Sequence, residues 1–199
     1  MQSTKAQLRA EILSNRRAVT PQIRNAEAAA LTSAVAERAE RGQTVCGYVP
    51  LGSEPGSLQL IDTLVRRDVV VLLPVARRSA DGTPLPMQWG RYRPGELVEA
   101  PFGLYEPAQP WLPARAVAEA TVVVVPALAV DRRGVRLGRG AGFYDRTLRL
   151  ADQAAMLVAV VRDDELLDRL PAEPHDVPMT HALTPGTGVI ALGRRAPDV

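Results

Sequence analysis

Apolar residues recur along the chain with two different periods. Near the amino terminus, Leu8, Ile12 and Leu13 are spaced as the inner stripe of a helix. Thr4 and Gln7 supply the T-x-x-Q capping box that starts it. Lys5 and Arg9 are four apart and share one face, and Arg16 falls on the same side. Thr20-Pro21 begins a second helix, a cap residue followed by proline in the first turn, and an alanine-rich stretch carries it to about Arg41. The pattern then changes to short apolar runs rich in β-branched residues: TVCGYVPL (44–51), DVVVLLPV (68–75), TVVVVPALAV (121–130), MLVAVVR (156–162) and GVIAL (188–192). All five read as strands, and the continuous runs 68–75 and 121–130 suit strands buried on both faces. Between them, SLQLIDTLVRR (57–67) has helical spacing, a helix is predicted from Phe143 to Ala151, and DELLDRL (164–170) reads as a short helix. Residues 76–120 are irregular and proline-rich, with a strand predicted at PMQWGRY.

Strands alternating with helices predict an α/β fold, a mostly parallel sheet flanked by helices on both faces. The 199 residues fit one domain spanning the whole chain, with no repeat or linker inside it. Ligands of such sheets bind at the carboxyl ends of the strands. The long excursion at 76–120 is of the kind that forms a lid or binding loop.

Composition narrows the partners. Hydrophobic residues make up 46% and charged residues 23%, ordinary for a globular chain. A net charge of +2 with 4% aromatics argues against a nucleic-acid binder. No apolar run approaches the ~18 residues of a membrane helix, and the first residues lack a signal-peptide core, so a cytoplasmic location is the expectation. Cys46 is the one cysteine, which rules out an intramolecular disulfide and a cysteine-rich metal site. Its apolar neighbours predict a buried, inert thiol.

The chemistry concentrates in RLGRGAGFYDRTL (136–148), where Gly138, Gly140 and Gly142 alternate with Arg139 and Ala141. The spacing matches neither the P-loop nor the dinucleotide fingerprint. The physics behind both still applies: glycines let backbone N–H groups approach an anion, and arginines add charge. On composition alone, an anion-holding loop and a plain turn before a helix stand level. Asp145 suits either, as a dipole-complementing carboxylate or as a Mg²⁺ ligand. There is no Ser-His-Asp or Cys-His arrangement, and only His175 and His181 among histidines.

The wider pattern is more specific. Asp131, Gly134, Arg136, Leu137, Gly138, Gly140, Gly142, Phe143, Tyr144, Asp145 and Arg146 resemble the D-x-x-G-x-R-L-G-x-G-x-G-[YF]-Y-D-R motif of the 5-formyltetrahydrofolate cyclo-ligases, also called 5,10-methenyltetrahydrofolate synthetases. Lys5-x-x-Leu8-Arg9, Glu54, Gly103-x-x-Glu106-Pro107 and His175-Asp176-Val177-Pro178 with Thr184 are similar to further motifs of that family, in the same order. The resemblance runs from Lys5 to Thr184. One departure is Ala141, where many members carry lysine; another is Phe143 in place of the first tyrosine.

The resemblance implies a three-layer α/β fold like that of the sugar-phosphate isomerases and CoA transferases. It also implies a ligase reaction (class 6): ATP phosphorylates the formyl oxygen of 5-formyltetrahydrofolate, N10 attacks the activated carbon, and 5,10-methenyltetrahydrofolate leaves with ADP and phosphate. Phosphoryl transfer of this kind asks for positioning and charge neutralisation, not a protein nucleophile. Carried over, Lys5, Arg9, Arg136, Leu137, Gly138, Arg139, Gly140, Ala141, Gly142, Phe143 and Tyr144 would bind ATP. Val49, Glu54, Arg139, Gly140, Ala141, Gly142 and Phe143 would bind the folate, Glu54 reading the pterin donors. Arg139 and Asp145 would be catalytic, and Asp145 with Asp176 would hold Mg²⁺. Trp89 and Tyr92 are candidates for stacking on the ligand, although packing is the better expectation for Trp89. A monomer or weak homodimer is expected. Two other readings stay open: a binding homologue that has lost turnover, and a sugar-phosphate or acyl-CoA enzyme on a related fold.

Overall fold

A computed structural model describes residues 4–100 and 103–193. Helix α1, Lys5–Ala18, opens on the expected capping box: the Thr4 hydroxyl accepts from Gln7 N, and the Gln7 side chain accepts from Thr4 N. Helix α2, Pro21–Ala36, starts on Thr20 with proline in its first turn. It stops before Arg41, because the following E-R-A-E-R-G-Q offers only Ala39 to bury. Instead the chain turns, and Gly42 N donates to Asp68 O.

The main sheet has seven strands in the order β12-β11-β9-β6-β1-β2-β3. These are β1 (Thr44–Cys46), β2 (Val70–Val75), β3 (Gln88–Arg91), β6 (Val122–Pro126), β9 (Met156–Val160), β11 (His181–Thr184) and β12 (Gly188–Ala191). Four of its six pairings are parallel; only the edge strands β3 and β12 run the other way. Helix α3, Leu58–Arg66, crosses from β1 to β2. With α2 it covers one face, where Leu31, Ile61 and Leu64 meet Val45, Val71, Val124, Val158 and Leu183. The other face packs Cys46, Leu72, Val123 and Val125 against Trp89, Ala116, Val117 and Leu148. Cys46 is fully buried, and burial pushes its thiol pKa far up.

The run 121–130 is not one strand. Pro126 has no N–H to continue the ladder, and after it the chain leaves the sheet. It re-forms as β7 (Ala129–Asp131), the centre of a small sheet with β8 (Arg136–Leu137) and β10 (Leu166–Leu167). The predicted helix at 164–170 is therefore mostly absent. Asp163–Glu165 make a 3-10 turn, and Leu166–Leu167 pair with β7. The helix expected at 143–151 is shorter: α4 covers Phe143–Thr147 and tightens into a 3-10 turn over Leu148–Leu150. Residues 76–120 hold an unpredicted hairpin, β4 (Leu97–Ala100) and β5 (Leu104–Pro107). Helix α1 docks on the small sheet, with Ile12 among Leu128, Ala129, Leu137 and Leu170. No helix among the described residues is long and apolar enough to cross a membrane.

Candidate active site

Chain order reverses direction between β1 and β6: β1 leads to β2 on one side, β6 to β9 on the other. A crevice forms at the carboxyl ends where such a reversal occurs. Here it is a cleft of about 720 Å³, floored by Tyr48, Pro74, Pro126 and Ala127 at or just beyond the ends of those strands. Its walls bring together Lys5, Arg9, Val49, Glu54, Arg136, Gly138, Arg139, Gly140, Ala141, Gly142, Phe143, Tyr144, Asp145 and Asp176. Leu137 alone of the expected site residues turns away; it is 1% exposed and packs against α1. Trp89 is buried in the core, and the Tyr92 hydroxyl donates to Asp62 on the α3 side. Neither lines the cleft, so neither stacks on a ligand there. Among the described residues, Phe143, Tyr144, Tyr48 and Tyr105 supply its phenyl and phenol rings.

The glycine loop leaves β8 and crosses the mouth of the cleft. Gly142 caps α4 with φ +77°, a conformation that side chains rarely adopt, and a Cβ there would sit 2.7 Å from Arg146 Nη1. Since α4 has only five residues, its dipole adds little, and the loop's own N–H groups and the arginines carry any anion affinity. Arg9 reaches up from α1: its Nε donates to Gly138 O at 2.9 Å, and its guanidinium carbon lies 3.6 Å from where a Gly140 Cβ would stand. Arg146 Nη1 donates to Gly142 O at 3.2 Å. Arg9 and Arg146 thus put positive charge beside the loop whose centre is Ala141.

Behind the loop, Asp131 holds the β7–β8 turn. Its fully buried carboxylate accepts from the backbone N–H groups of Arg133, Val135 and Leu170. Gly134, φ +91°, lies flat against Met179: Met179 N donates to Gly134 O, and any Cβ on Gly134 would overlap the Met179 carbonyl. These two motif residues build the loop's support and do not face the cleft.

Three ion pairs line the cleft between residues that the resemblance singled out. Lys5 Nζ meets Asp176 at 3.1 Å, Arg136 Nη2 meets Asp145 at 2.8 Å, and Arg139 Nε meets Glu54 at 3.0 Å. Glu173, which the sequence reading passed over, also takes Lys5 at 2.9 Å. Burial works to lower the Lys5 pKa, but hydrogen bonds to Glu173 and Asp176 outweigh it and raise it. The Lys5 hydrogen bond holds Glu173 below the usual carboxylate range. Burial, then Glu54, pushes the Tyr144 phenol far up, so it stays neutral.

Glu173, His175 and Asp176 bring ligand atoms within 4.8 Å of one another. The carboxylates suit Mg²⁺, which prefers oxygen; the imidazole does not add to that preference. Asp145 is outside this cluster and is engaged by Arg136. The E-P-H-D spacing, a carboxylate two residues before the histidine, was the available signal for Glu173.

Two other pairs were not anticipated. Arg16 Nε and Nη2 each bond Glu165 at 2.7 Å, and Nη2 also donates to Ala127 O. On the opposite wall Arg77 holds Glu106 at 2.5 and 2.8 Å and stacks on Trp111, 4.4 Å from the ring centre. Glu106 is the acid of the G-x-x-E-P motif, and its role is to fix Arg77 and the hairpin.

Comparison with known proteins identifies the family. Residues 1–185 match the profile of the 5-formyltetrahydrofolate cyclo-ligase family. The chain is 61% identical over 189 residues to the 5-formyltetrahydrofolate cyclo-ligase of Mycolicibacterium smegmatis, covering 95% of this chain and 97% of that one. It is 32% identical over 144 residues to the enzyme of the same name from Escherichia coli strain K12, covering 71% and 78%. The fold resembles the NMR structure of Aquifex aeolicus 5,10-methenyltetrahydrofolate synthetase, with TM-score 0.75, 24% identity and coverage of 98% and 95%. The chain belongs to the 5-formyltetrahydrofolate cyclo-ligase family and is an enzyme of that class.

Proposed function

We propose that this cleft closes the ring of 5-formyltetrahydrofolate to 5,10-methenyltetrahydrofolate, driven by ATP. The observation that carries the reading is one cleft holding a glycine loop flanked by Arg9, Arg136, Arg139 and Arg146, with Glu54 on the adjacent wall. The loop and its cations suit phosphates. Glu54, with its side chain 11% exposed, suits the amino and amide donors of a pterin.

The γ-phosphoryl group passes to the formyl oxygen, N10 attacks the formyl carbon, and that oxygen departs with phosphate as N10 loses its proton. Arg139 stands between loop and Glu54, where it can neutralise charge developing on the transferred group. Asp176, together with Asp145 once it is released from Arg136, would hold Mg²⁺, which would supply charge neutralisation on the phosphates. Lys5, Arg9 and Arg136 orient the triphosphate, and neutral Tyr144 and Phe143 exclude water beside it.

The test is direct. Protein, MgATP and 5-formyltetrahydrofolate should develop the methenyl absorbance, and D145A should develop essentially none. Folded wild-type protein that binds both substrates without forming the chromophore would make it a binding homologue; failure to bind ATP would favour a related α/β enzyme.

A further inference from the structure

Seven lysine and arginine side chains line the cleft, and most are already matched. Lys5, Arg16, Arg77, Arg136 and Arg139 each hold a carboxylate. Two have none among the described residues: Arg9, which is tied to the glycine loop, and Arg78. Arg78 lies just past the end of β2, one strand beyond the β1 loop that carries Glu54. It is exposed, and its guanidinium carbon sits 5.2 Å from the centre of the Phe143 ring. Nη1 donates to Gly82 O at 2.7 Å, within the 79–83 turn closed by Ser79 N to Thr83 O. The turn sets the guanidinium's position and leaves Nε and Nη2 open. A fixed, half-free fork is what bidentate carboxylate recognition asks for.

The surroundings combine polar and apolar groups. Glu54 lines the cleft from the loop after β1, Phe143, Leu104 and Tyr105 add apolar surface to it, and Arg78 lies beside Phe143. Tyr105 is 57% exposed although large and aromatic. A reduced folate has groups to match: a pterin, an aminobenzoyl ring and a dianionic glutamate. We propose that Arg78 is the receptor for a carboxylate of the substrate's glutamate, and so sets discrimination at the tail end. The proposal rests on the folate reading above.

The test compares two substrates, 5-formyltetrahydrofolate and its glutamate diamide, which keeps both rings and lacks the tail charge. Wild type should prefer the diacid by roughly 10- to 100-fold in kcat/KM, the range of a charge-assisted hydrogen bond. In R78A that ratio should fall to near one through a higher KM for the diacid, and R78K should recover part of it. A ratio that keeps its wild-type value in R78A overturns the proposal. No methenyl product from wild type with either substrate overturns the folate reading itself.

Discussion

Lys5 and Arg16 stand on one side of α1, and each holds carboxylates from the far end of the chain. At the carboxyl end of the helix, Arg16 and Glu165 have side chains 1% and 5% exposed, doubly bonded to each other. At the amino end, Lys5 is 17% exposed, Glu173 51% and Asp176 14%. The buried pair is almost wholly shielded from water although Arg16 borders the cleft, and Arg16 Nη1 is left without a partner among the described residues. Desolvation is costly there, and the attraction matters mainly because removing one partner strands the other. The outer group is less buried, most of all at Glu173, and Lys5 divides its bonds between two carboxylates. One helix thus uses the same chemistry twice, once to anchor itself and once to present charge to the cleft.

That contrast can be broken by experiment. R16A should cost about 3–5 kcal/mol, the range for an orphaned buried charge. For a chain of this size that lowers Tm by roughly 6–20 °C. The double variant R16M/E165L should recover most of the loss, because neither charge is then left alone; if it melts as low as R16A, the pair is not what anchors the helix. K5A should leave Tm nearly unchanged, yet raise the KM for ATP by roughly tenfold, as expected for one charge-assisted contact. A melting loss like that of R16A would erase the distinction between the two ends.

The smallest effect is on pH. Glu173 is depressed by Lys5, so its stabilising contribution is present above its unfolded pKa of about 4.5 and is lost as pH falls through the lower folded value. Lys5 is raised, so its contribution is complete below 10.5 and fades as pH rises through the higher folded value. An NMR titration should show the Glu173 carboxyl titrating below the ordinary range in wild type and returning to it in K5A. An unchanged midpoint would remove Lys5 as the cause.

What the sequence disclosed followed from distance along the chain. The Thr4–Gln7 capping box, the Thr20-Pro21 start and the β-branched runs are local signals, and the structure has them, with 121–130 divided between β6 and β7. The cleft residues were legible because the motifs bearing Lys5, Glu54, Arg136–Asp145 and Asp176 recur together in a family. The Arg16–Glu165 pair, 149 positions apart, left no local trace. DELLDRL has helical spacing, but its leucines pair with β7 and its glutamate is drawn to Arg16. Strand β11 is hidden because H-A-L-T is too short and mixed to stand out; its identity comes from lying between β9 and β12. Arg78 carried no signal at all, since an exposed arginine in an irregular stretch is ordinary until its neighbours are known.

The contact between Gly134 and Met179 has a mechanical consequence. It joins, backbone to backbone, the turn that launches the glycine loop and the segment that carries Glu173, His175 and Asp176. The hydrogen bond and the close approach fix the spacing of those two parts. A ligand that touches both would find them already in register, so its binding energy is not spent on bringing them together.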